Sequence, residues 1–135
     1  MGKVADHIQR IYLEEETNCA EALFRAALTA RNKNAPDECY RIMSGYSGGV
    51  SCENLCGAIL GGAAAISYLI NCGDDKSFER SKEATAEFVE LCQKDFGTVN
   101  CHEIKTVWRT EEMRCFHAVE KMAEHLEKIL QKYQV

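Results

Sequence analysis

Apolar positions along this chain recur at helical spacing, in runs separated by residues that start or stop helices. Ile8, Ile11 and Tyr12 mark an amphipathic helix over residues 4–13, with acidic Glu14, Glu15 and Glu16 at its end. Asn18-Cys19-Ala20-Glu21 then sets an asparagine N-cap three residues ahead of a glutamate, so a second helix should run from Cys19 to about residue 30. Pro36, a favoured first helical residue, opens a short helix to about residue 43.

The most apolar run follows a glycine loop. Gly45, Gly48 and Gly49 supply the backbone freedom for a tight loop, and Ser51 is a good N-cap for a central helix expected to continue to about residue 70. On that reading Cys52 and Cys56 lie four apart on one face of its first turns. Gly57, Gly61 and Ala65 form a stripe of small residues, with Ala58 and Gly62 beside it. A glycine costs a helix interior about 1 kcal/mol. The stripe therefore calls for close packing by another backbone, or for bringing Cys56 near groups on neighbouring helices.

Asn71-Cys72-Gly73 supplies a helix stop. Phe78, Ala84, Phe88, Leu91, Cys92 and Phe96 trace the next stripe over residues 77–96, closed by Gly97. Asn100-Cys101-His102-Glu103 then repeats the earlier Asn-Cys-x-Glu pattern, with Val99 and Ile104 placed as a hydrophobic staple. Thr110 can cap a last helix from Glu111 to about residue 133, with Cys115, Val119, Met122, Leu126, Ile129, Leu130 and Tyr133 on its apolar side. The whole pattern predicts an all-α fold: one domain over residues 1–135, a compact bundle of about six helices around a central Gly/Ala-rich helix.

Composition narrows the function classes. The formal charge of −5 and pI near 5.4, without a basic stripe, argue against nucleic acid as a partner. The amino end lacks the apolar core of a signal peptide, so a cytoplasmic protein is expected. Residues 55–70 form the one candidate membrane span. They fall short of the roughly 20 residues needed, so no stable span is expected.

Eight cysteines in 135 residues is unusual for a chain of that compartment, where structural disulfides are normally kept reduced. Such cysteines bind metal, carry redox chemistry or sit inertly in a core. There is no CxxC pair and no zinc-finger spacing, so any site must be assembled by tertiary folding. Cys19 and Cys101 become first residues of capped helices, where the helix dipole favours a thiolate. Cys56 and Cys115 are expected about one turn inside theirs.

Asn18-Cys19, GGVSCENLCGAILGG, FGTVNCHEI and Cys115-Phe116-His117-Ala118-Val119 together resemble the C_GCAxxG_C_C family of redox-active proteins across nearly the whole chain. The most specific piece is Cys56-Gly57-Ala58-Ile59-Leu60-Gly61, which fits CGAxxG. The resemblance implies that the family cysteines are Cys19, Cys56, Cys101 and Cys115. It leaves Cys39, Cys52, Cys72 and Cys92 as extras, and it implies redox work without a defined reaction.

Three readings follow. In the first, Cys19 or Cys101 is a low-pKa thiol that exchanges with the disulfide of a redox partner protein, and Cys56 or Cys115 resolves the intermediate. In the second, Cys19, Cys56, Cys101 and Cys115 ligate zinc or an iron–sulfur cluster. In the third, the chain is a non-enzymatic helical assembly protein, a candidate homodimer whose cysteines are structural. The histidines add little, since His117 and His125 are eight apart rather than four and His7 and His102 read as surface residues. The glycine loop lacks the lysine of a phosphate-binding loop.

Overall fold

Asn18 starts the first long helix through its own side chain: Oδ1 accepts the Glu21 N–H at 2.9 Å, and α1 runs Cys19–Ala30. The Glu21 carboxylate turns away from the cap to take Arg25 Nε at 2.6 Å. Ahead of α1, the expected helix at residues 4–13 is a 3-10 turn, Val4–His7, followed by a wider π-type turn, Gln9–Glu14. Its apolar positions Ile8, Ile11 and Tyr12 are buried as their spacing requires.

The computed structural model describes residues 2–135, and among these it is an all-α bundle with no β-strand. After Pro36 come α2, Asp37–Arg41, and a 3-10 turn, Ile42–Tyr46. The bundle is completed by α3, Gly57–Ile70; α4, Asp75–Phe96; α5, Cys101–Trp108; and α6, Phe116–Lys132. Asp74 caps α4 by accepting the Ser77 N–H at 2.7 Å, and Gly97 ends it with φ +74°. On α4 the stripe holds for Ala84, Phe88 and Cys92, whereas Phe78 is 49% exposed.

The Gly/Ala-rich α3 is central, packing most extensively on α1 and also on α4 and α6. Gly61 explains the closeness: a Cβ there would run into the Ala20 backbone carbonyl, and one at Gly62 would meet the Phe88 ring at 2.5 Å. The small residues are thus contact points for α1 and α4, as the stripe implied. A buried ion pair ties the ends of the fold, with Glu127 of α6 taking Arg31 Nη2 at 2.9 Å and the Val4 N–H at 3.0 Å. No helix among the described residues is long and apolar enough to cross a membrane.

Two helix starts differ from the sequence expectation. α3 begins at Gly57 rather than near Ser51, because Gly48, Gly49, Val50, Ser51 and Glu53 all hold positive φ. The following residues pair with the segment before α5, Leu55 opposite Asn100, so a helix cannot pass through them. α6 begins at Phe116 rather than Glu111. Thr110 and Arg114 exchange both backbone hydrogen bonds, at 2.9 and 2.8 Å, and close a turn where the helix was expected.

Candidate functional site: a cavity lined by four cysteines

Those two shifts change where the cysteines stand. Cys56 and Cys115 occupy the N-caps of α3 and α6, not positions one turn inside. Cys19 and Cys101 are the first residues of α1 and α5, as expected, and Asn100 caps α5 by accepting the Glu103 N–H at 3.0 Å. All four cysteines therefore sit at helix starts, where unpaired N–H groups and the helix dipole favour negative charge.

Long-range backbone bonds bring these starts together. The Cys56 N–H donates to Val99 O at 2.9 Å and the Cys101 N–H to Asn54 O at 2.5 Å, zipping the entry to α3 against the entry to α5. Gly49 lies directly against Cys101 Cβ, and any side chain at position 49 would collide with it. The Cys115 N–H donates to the Tyr12 hydroxyl at 3.2 Å. Gly57 leaves room for the Cys19 sulfur, which a Cβ there would approach to 3.1 Å.

The result is one small closed cavity of about 30 Å³, lined by Cys19, Cys56, Cys101 and Cys115 together with apolar Ile104, Val119 and Met122 and with Lys105. That is room for a water molecule or two, too small for an organic substrate. A larger open groove of about 550 Å³ runs between α3 and α4, but no cysteine lines it.

Burial governs the thiols in the reduced state. It pushes Cys56 up to about 12, helped by the neighbouring Cys19, against the N–H groups of Ile59 and Ala58 that point at its sulfur. Cys19 is raised by burial and then by Cys115 and Cys101. Cys101 is also raised by burial, although Lys105 and Arg109 pull it the other way. The expected low-pKa thiol at Cys19 or Cys101 is thus outweighed by desolvation, because the packing around these helix starts withdraws the sulfur atoms from solvent.

The remaining cysteines lie elsewhere. Cys52 and Cys72 are exposed, Cys72 with its sulfur 3.2 Å from an Asp74 oxygen, and Cys39 is half-buried. Cys92 is fully buried, and burial followed by the proximity of Cys56 pushes it up to about 12.

Among the described residues no group of three or more His, Cys, Asp or Glu side chains is arranged to hold a metal ion. Cys19, Cys56, Cys101 and Cys115 share one cavity without standing as a ligand shell in this arrangement. No histidine is among the residues lining it, and His102 Nδ1 lies 3.3 Å from Glu53 and His125 Nε2 2.7 Å from Asp95.

Sequence reasoning missed Tyr12, Lys105 and Glu53. Lys105 was within reach of it, since it follows Cys101 by four residues and so shares its helix face. Tyr12 left no signal, because it meets Cys115 from the far end of the chain. Residues 17–129 match the family model described as "Putative redox-active protein (C_GCAxxG_C_C)". No curated protein matches the chain, and no solved structure does.

Proposed function

The chain belongs to the C_GCAxxG_C_C family, and from that premise we propose that Cys19, Cys56, Cys101 and Cys115 form a thiol–disulfide exchange centre. One observation carries the reading: four cysteines from positions 19, 56, 101 and 115 line a single cavity at four helix starts. A cavity this small leaves the sulfur atoms themselves to do the chemistry with a partner's disulfide at the surface.

The exchange balances without another reagent. A thiolate here attacks one sulfur of the partner disulfide, and the partner's S–S bond opens. The released partner sulfur takes a proton, and a second cysteine thiolate of this chain then attacks the first cysteine's sulfur in the mixed disulfide, displacing the partner's other sulfur, which is protonated in turn. This chain ends with one disulfide and the partner with two thiols, two electrons having moved between them. Cys101 is the attacking thiol in this reading, because it is only half-buried and has Lys105 and Arg109 beside it. Cys115, also half-buried and close enough to raise Cys101, resolves the intermediate. Such a centre suits the cytoplasm, where thiols are returned to the reduced state between cycles.

The test is disulfide mapping by mass spectrometry after titration with glutathione disulfide. Intramolecular disulfides confined to Cys19, Cys56, Cys101 and Cys115 are expected. Modification of Cys52 and Cys72 alone, with the four remaining thiols, would overturn the proposal.

A further inference from the structure

We propose that Lys105 and Arg109 form a recognition rim beside Cys101 for a disulfide that carries carboxylates close to its sulfur atoms, with Glu53 occupying Lys105 until such a partner displaces it. The inference rests on the exchange reading and names its substrate class.

The rim is built by α5. Lys105 stands one turn after Cys101 and lines the cysteine cavity, while its side chain stays 38% exposed. Arg109, the C-cap of α5, follows four residues after Lys105 with its N–H donating to the Lys105 carbonyl at 3.0 Å, and it is close enough to act on both Cys101 and Lys105. In a chain of net charge −5, two cations act on one half-buried thiol, opposed by the carboxylate of Glu53. An anionic group brought to Cys101 would compete with Glu53 for them.

Glu53 already shows how a carboxylate docks there. Its Oε1 takes Lys105 Nζ at 2.6 Å and lies 3.3 Å from His102 Nδ1. It reaches this place from a loop whose backbone is strained, since Val50, Ser51 and Glu53 hold φ of +57°, +63° and +58°. Non-glycine residues adopt that region at a cost and keep it only where surrounding contacts impose it. Here the Asn54 carbonyl takes the Cys101 N–H, and Asn100 Nδ2 donates to Glu53 O at 3.3 Å. The carboxylate is thus held over α5 by the fold, where it occupies a cation that an incoming acidic partner would otherwise use.

The experiment measures mixed-disulfide formation at Cys101 of the full chain with three probes: anionic glutathione disulfide, neutral hydroxyethyl disulfide and cationic cystamine. Glutathione disulfide is expected to react faster than the neutral probe. K105Q and R109Q should each lower that ratio about two- to fivefold, the size of one exposed charge interaction, and E53Q should raise it by a similar factor. If E53Q speeds all three probes equally, the loop merely covers Cys101 and the proposal fails. It also fails if the ratio is the same in all four proteins, or if cystamine reacts fastest in the wild type. A shifting ratio without intramolecular disulfides would keep the rim and retire the exchange centre, so the two readings can fail separately.

Discussion

The Tyr12 hydroxyl accepts the backbone N–H of Cys115 at 3.2 Å, joining the amino-terminal segment to the N-cap of the last helix across 103 positions of sequence. Arg114 reinforces the joint, with its guanidinium over the Tyr12 ring at 4.0 Å and hydrogen bonds to the carbonyls of Tyr12 and Thr17. Tyr12→Phe keeps the ring and this stacking but leaves the Cys115 N–H without its acceptor. A fully buried donor left unpaired costs about 1–3 kcal/mol, and this half-buried one should fall at the low end, about 1 kcal/mol. The urea midpoint should fall accordingly, and an unchanged midpoint would show that the N–H is solvated instead.

Gly61→Ala tests the contact between α1 and α3. The added methyl would enter the Ala20 carbonyl, and because that atom is backbone the two helices must separate. Overpacking of this kind costs about 1–3 kcal/mol. Thermal unfolding should show the loss, whereas Ala65→Gly on the same helix should lose stability through propensity and a lost methyl without moving α1.

Acid stability should depend on Glu127. Burial alone would raise its carboxyl, but Arg31, the Val4 N–H and Gln131 outweigh that and bring it to about 2, from 4.5 for the free group. Since the folded value lies below the unfolded one, the contribution is fully present above about pH 4.5. It is lost as pH falls towards 2, and amounts to about 3 kcal/mol by linkage. Arg31→Met should flatten the stability profile over that window and, by leaving a buried carboxylate unpaired, destabilise the protein at pH 7.

The order of alkylation in the reduced native protein should follow exposure. Cys52 and Cys72 are expected to react first with iodoacetamide, and Cys56 and Cys92, buried and each pushed up to about 12, last. Time-resolved peptide mass spectrometry reads this directly. A fast Cys56 would mean that the cavity opens in solution.

Metal content separates exchange from ligation. Protein prepared without oxygen should hold clearly less than one zinc or iron per chain and no acid-labile sulfide. One metal per chain, lost on mutation of any one of Cys19, Cys56, Cys101 and Cys115, would make these thiols ligands and replace the exchange proposal.

Much of the helical layout was legible locally. The caps of α1 and α5 are set by Asn18 and Asn100 acting on an N–H three residues away, so their sequence pattern located Cys19 and Cys101 at helix starts. The small residues of α3 likewise announced close packing, because only another backbone makes Gly61 worth its cost. The family pattern marked the four cysteines, though not that they meet.

Tertiary structure decided the rest. α3 and α6 start where long-range bonds release the chain: Asn54 and Cys56 are held by the segment before α5, and Cys115 by Tyr12. Local propensity at Ser51 and Glu111 could not reveal this, since the competing partners lie about 45 and 100 residues away. The same contacts bury Cys56 and half-bury Cys19 and Cys101, and that desolvation reverses the expected effect of a helix start on these thiols. The sequence by itself determined which residues lie at or near helix starts; only their convergence among packed neighbours set how those thiols titrate, because desolvation depends on everything packed around a charge.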